Sequence, residues 1–131
     1  MLDKQAIFNT VTKHLLTQKS VSANQCLDDP NDTDCCYRTD DGMKCALGCL
    51  IKDELYAPEI EGSIPSQNLE NRVNILLAQS IGVDVRDICS NIEFFIKLQN
   101  IHDQKPVQEW KGYLLDFANT NGLNSYVVNQ F

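Results

Sequence analysis

Apolar positions recur at three- and four-residue spacing through most of this chain, and that pattern predicts helices. Ile7, Val11 and Leu15, flanked by Phe8 and Leu16, mark one stripe over residues 3–18, with Asp3 as the expected N-cap and His14 beside the stripe. Residues 19–34 are polar and rich in turn formers, and read as a loop. Over 35–46, Tyr37, Arg38 and Thr39 suit a strand and Asp41-Gly42 is a two-residue turn signal. A β-hairpin is expected there, with Arg38 facing Cys45 to within one residue. Helical spacing returns over 45–56 with Ala46, Leu47, Leu50, Ile51 and Leu55. Gly48 inside that segment costs about 1 kcal/mol relative to Ala, so something is expected to pack against its bare backbone. Pro58 ends the segment, and 59–65 connects onward.

Three further helices are predicted. The first spans 66–80, with Ser66 as its cap and Leu69, Val73, Leu76 and Leu77 inward, and Gly82 closes it. The second spans 85–103, with Val85, Ile88, Ile92, Phe95 and Leu98 inward and Cys89, Phe94 and Ile101 alongside. The third spans 106–121, opened by Pro106 and closed by Gly122 and Leu123, with Trp110, Leu114 and Phe117 inward. The expectation is a mainly α, single compact domain over 1–131, of about five helices with one small β-hairpin. It divides into an N-terminal helix (3–18), a loop (19–34), a hairpin and short helix (35–62) and a helical remainder (66–123).

Composition narrows the function classes. A chain of 131 residues is one domain by size, and 43% hydrophobic with 22% charged residues is a globular balance. The net charge of −7 and the scattering of Lys and Arg offer no basic face for phosphate backbones, so no nucleic-acid partner is expected. No stretch has the length of a membrane span, so no membrane partner is expected either. The N-terminus lacks the long apolar run of a secretory signal. With six cysteines and no export signal, the expectation is a reducing cytoplasm with thiols rather than a disulfide framework. The acidic run from Asp28 to Asp34 fails as an EF-hand loop, because neither register supplies the required Gly and Glu.

The segment from Cys35 to Gly62 concentrates the candidate chemistry. For a metal, Cys35, Cys45 and Cys49 are the candidate thiolates; Cys36 points to the opposite strand face from Cys35, and the paired Cys-x2–4-Cys spacing of structural zinc sites is missing. For catalysis, Cys45 at a strand-to-helix junction beside Arg38 or Lys44 is the candidate nucleophile, and His102, followed by Asp103, is the candidate base. For binding, Tyr37, Arg38, Lys44, Tyr56, Glu61, Gln99 and His102 are the candidates: Arg offers a bidentate fork to an anion and Tyr a stacking face. Against that stands an internal role for Arg38, pairing with Glu54, Glu59 or Glu61 to tie the hairpin to the following tail. No cofactor is expected.

The pattern Cys35-x-Tyr37-Arg38, Gly42-x-Lys44-Cys45-Ala46-x-Gly48-x-Leu50-Ile51, Asp53-Glu54-x-Tyr56-x-Pro58-Glu59-x-Glu61-Gly62, with Leu98-Gln99-x-x-His102-Asp103 and Trp110 further on, resembles a group of small bacterial and phage proteins to which no activity is assigned. The resemblance runs from Cys35 to about Leu123, and Cys49 lies outside it. It implies an accessory protein of a phage or mobile element, working in the bacterial cytosol. The function expected is non-catalytic binding of a host protein or a small anionic, nucleotide-like ligand. The alternatives are a cysteine-dependent enzyme using Cys45 and His102, and a structural zinc module.

Overall fold

The computed structural model describes residues 2–25 and 33–131, the side chains of residues 24, 25, 33 and 34 excepted. The acidic run from Asp28 and the thiol of Cys26 lie outside the described residues. Five α-helices are present among them: α1 (Lys4–Gln18), α2 (Arg72–Ile81), α3 (Val85–Ser90), α4 (Ile92–Gln104) and α5 (Trp110–Thr120). The fold is mainly helical, as the apolar spacing predicts.

The best-predicted element is α1. Ile7, Phe8, Val11, Leu15 and Leu16 are all buried on one face, and Asp3 Oδ1 accepts from the Ala6 N–H at 2.9 Å. That bond satisfies one of the orphan donors of the first turn. The stripe packs on α5, where the Phe8 and Phe117 rings stack with centroids 5.8 Å apart, and Phe94 of α4 completes the aromatic group at 5.3 Å from Phe117. Each fully buried side chain of this size contributes about 1.5–3 kcal/mol over exposure. Gln5 reaches across to the far end of the chain: its amide donates to the Asn124 carbonyl at 3.0 Å and accepts from the Asn124 N–H at 2.8 Å.

The hairpin expected over 35–46 shrinks to a single antiparallel bridge, which joins Arg38 to Lys44, one residue from the expected Cys45 and within the stated register. The turn closes through Thr39 N–H to the Met43 carbonyl and Gly42 N–H to the Thr39 carbonyl, with Gly42 at φ 87°. Such a φ suits a residue without Cβ. Two three-residue strands pair instead a few residues earlier, β1 (Ala23–Gln25) with β2 (Thr33–Cys35), in the register Ala23 to Cys35.

The helix expected over 45–56 is also absent. Only Gly48–Leu50 winds, as one 3₁₀ turn. Cys45, Ala46, Leu47 and Ile51 are nonetheless buried, packed against α1 and α2, so the apolar spacing reflects burial of a tight coil rather than a helix face. Something does press on Gly48: a Cβ there would lie 2.0 Å from the Tyr37 carbonyl oxygen.

The remaining differences have local causes. The helix predicted from residue 66 begins at Arg72, because Ser66, Asn68 and Asn71 hold the preceding coil with side-chain bonds and Asn71 Oδ1 caps α2 through the Asn74 N–H. Side chains of this type compete with the helical ladder for backbone groups. Leu69, expected inward, is 49% exposed in that coil. The helix predicted over 85–103 breaks at Asn91, whose amide donates back to the Asp87 carbonyl at 2.8 Å. At the end of α5, the Leu123 N–H reaches the Ala118 carbonyl at 2.8 Å with Gly122 at φ 65°, the left-handed closure expected.

Candidate functional site

The residues predicted to form one site separate into two neighbouring groups. The first surrounds Arg38. Glu61 is its anchor: Oε1 accepts from the Tyr37 N–H at 2.9 Å, and Oε2 accepts from the Arg38 N–H at 3.1 Å and from the Tyr56 hydroxyl at 2.5 Å. The Tyr37 hydroxyl donates to the Ser63 carbonyl at 2.5 Å, a second tie between the bridge and the tail. Burial pushes the Tyr37 phenol above its ordinary range, and burial followed by the Glu61 bond does the same to Tyr56. Both hydroxyls therefore remain donors at neutral pH.

Glu61 thus fixes the backbone of Arg38 and leaves its side chain to other partners. The guanidinium lies over the Tyr56 ring at 4.7 Å, donates to the Ile51 carbonyl at 2.5 Å and pairs with Asp53 at 2.8 Å. Lys44, opposite Arg38 across the bridge, pairs with the same Asp53 Oδ1 at 3.3 Å. The charge partner is therefore Asp53, not Glu54, Glu59 or Glu61; Glu59 pairs with Arg72 instead. Lys44 first, then Arg38, holds the Asp53 carboxyl below its usual range. Asp53 itself projects into solvent, its side chain 78% exposed against 14% for Arg38. Arg38 Nε is buried and has no hydrogen-bond partner among the described residues.

The second group lies on α4. Gln99 accepts from the Leu47 N–H at 2.9 Å through Oε1 and donates to Asp103 Oδ1 at 2.9 Å through Nε2. His102 is buried against the Trp110 ring, with Nδ1 2.6 Å from Asp103 Oδ1 and Nε2 2.8 Å from the Ser22 N of the segment before β1. A backbone N–H donates only to a lone pair, so Nε2 is the acceptor and the ring proton sits on Nδ1, donated to Asp103. Both nitrogens of His102 are spent on internal partners.

Cys45 does not join His102 as a thiol–imidazole pair. Its sulfur accepts from the Gly48 N–H at 3.2 Å, and complete burial raises its pKa. Cys49 donates to the Ala46 carbonyl at 3.0 Å, and burial pushes its thiol up to about 12. Cys35, Cys45 and Cys49 are not brought together either. Among the described residues, the one group with ligating atoms in reach of a common ion is Cys35, His102 and Asp103, all within 4.8 Å of one another. Sequence spacing gave no hint that Cys35 would meet His102, since β2 and α4 are joined only by the tertiary fold. Asp53 was equally hidden as the shared partner of Arg38 and Lys44.

The fold and the site define a small helical protein that presents an Arg–Lys pair beside a Gln–His–Asp cluster in which His102 is buried. No known protein family matches the chain, nor does any curated protein or solved structure. No helix among the described residues is long and apolar enough to cross a membrane.

Proposed function

We propose that this protein acts by non-catalytic binding, taking an anionic group, a phosphate or a carboxylate, between Arg38 and Lys44, as an accessory protein of a phage or mobile element. The observation that carries the reading is the convergence of both cations on one oxygen of an exposed side chain, Asp53. Arg38 is braced from behind by Glu61, Tyr56 and the Ile51 carbonyl, whereas Asp53 comes from the solvent side. Exposed ion pairs contribute little to stability, so an incoming anion displaces Asp53 at small cost. The bidentate fork of Arg38 suits an oxyanion, and its buried Nε has one donor still to place.

The test is titration with inorganic phosphate and with acetate, followed by amide shifts of Arg38 and Lys44. Asp53→Asn removes the resident competitor and is expected to tighten binding by about two- to fivefold, the scale of an exposed pair. Lys44→Gln is expected to weaken it. Equal affinities in the wild type, Asp53→Asn and Lys44→Gln would sink the proposal.

A further inference from the structure

We propose that Cys35, His102 and Asp103 form a binding site for one thiophilic divalent cation of the zinc type, independent of the Arg38–Lys44 pair. The sulfur, imidazole nitrogen and carboxylate oxygen lie within 4.8 Å of one another. A zinc ion with bonds of about 2.0–2.3 Å holds its ligand atoms about 3.5 Å apart, so the sulfur closes in while His102 Nδ1 and Asp103 Oδ1, now 2.6 Å apart, separate by about 1 Å around the ion. Cys35 and Asp103 belong to exposed residues, which leaves the fourth position open to water. Gln99 also holds Asp103, donating to the same Oδ1 that meets His102.

Charge favours a cation over a reactive thiol. The ring of His102 has no lone pair left for the Cys35 proton, because Nδ1 carries a proton and Nε2 accepts from Ser22. A divalent ion changes that: it draws the thiolate and the carboxylate together and replaces the proton between Nδ1 and Asp103.

The structure supplies a place for that proton. When Nδ1 binds the ion, the ring must carry its proton on Nε2, and Nε2 then needs an acceptor where it now meets a donor. Ser22 provides one. Its side chain is fully buried, and its hydroxyl oxygen has no hydrogen-bond partner among the described residues. A buried hydroxyl without a partner is costly, and here it sits on the residue whose N–H now occupies Nε2. Loading therefore exchanges Ser22 N–H to Nε2 for Nε2–H to Ser22 Oγ. The bonds formed are metal to sulfur, nitrogen and oxygen; the thiol proton leaves to solvent, and the imidazole proton stays on the ring. One proton is released per ion, so affinity rises with pH.

The experiment is titration of the full-length chain with Co²⁺, whose thiolate bond gives a charge-transfer absorption, and competition by Zn²⁺. One ion per chain is expected, with the band abolished by Cys35→Ser and retained in Cys49→Ser. Ser22→Ala removes that unpartnered hydroxyl and is expected not to lower the urea midpoint of the metal-free protein while weakening the ion by about tenfold or more, as loss of a ligand's outer partner does. No saturable binding, or a band that survives Cys35→Ser, overturns the site. Undiminished affinity in Ser22→Ala overturns the exchange at His102.

Discussion

Replacing Gly48 by Ala adds one methyl group at the most crowded of the six glycines. The new Cβ would lie 2.0 Å from the Tyr37 carbonyl oxygen, 2.8 Å from the carbonyl carbon and 3.1 Å from Cα. All three are backbone atoms, so no side chain can turn away. Ordinary non-bonded contact begins near 3.5 Å, and the Tyr37 peptide must retreat by more than about 1 Å. That peptide is held on every side: its carbonyl accepts from the Cys45 N–H, and the N–H groups of Tyr37 and Arg38 end on Glu61. Overpacking costs about 1–3 kcal/mol, and weakening one or two of these bonds adds about 1–2 more. The expected loss is about 2–5 kcal/mol. At a urea slope of about 2 kcal/mol per molar, the midpoint falls by about 1–2.5 M. Gly112→Ala is the internal control, because its Cβ meets nothing within 4 Å in the first turn of α5. That change is expected to stabilise by about 0.5–1 kcal/mol through helix propensity and the unfolded chain. A Gly48→Ala midpoint within about 0.5 M of wild type would refute the reasoning.

Two further outcomes follow from the same geometry. Glu61→Gln places an amide NH₂ where a carboxylate oxygen now receives backbone donors; it is expected to cost about 2–4 kcal/mol by urea unfolding, and a loss below 1 kcal/mol would show that Glu61 is not the anchor. His14 donates to the Lys44 carbonyl, and burial lowers its pKa below the ordinary 6.5. The unfolded chain therefore takes up a proton first as pH falls through 6.5, so stability is full above that pH and declines below it until the folded ring also protonates. Urea midpoints between pH 7.5 and 5.5 are expected to fall less in His14→Gln than in wild type, and identical slopes would exclude His14 as a contributor.

Residues whose role is local were legible, and residues whose role depends on distant partners were not. Asp3 caps α1 and Leu123 closes α5 because both act within a turn of their own position. Gly48 could be read as a close-packing position from its cost alone. The segment 45–56 misled because a coil wrapped in core needs apolar residues as densely as a helix does, and Ala46, Leu47 and Ile51 satisfy either arrangement. Asn71 and Asn91 set helix limits through side-chain bonds that Ser66 and an unbroken 85–103 pattern masked. At the site, Tyr37, Arg38, Lys44, Tyr56 and Glu61 do assemble, whereas Gln99 and His102 turn to Leu47, Ser22 and Asp103. The meeting of Cys35 with His102 is set by where β2 lies relative to α4, which no spacing rule encodes.

The stacking of Phe8 on Phe117 and the grip of Gln5 on Asn124 also order events in time. A ribosome adds about 5–20 residues each second, so α1 emerges about 5–20 s before the helix that covers its apolar face. During that interval Ile7, Phe8, Val11 and Leu15 have no α5 to dock on, and the nascent chain carries an exposed greasy helix. The helix that shuts the core over α1 is thus made well after it, and pauses between the two prolong the period in which chaperones or other nascent chains compete for α1.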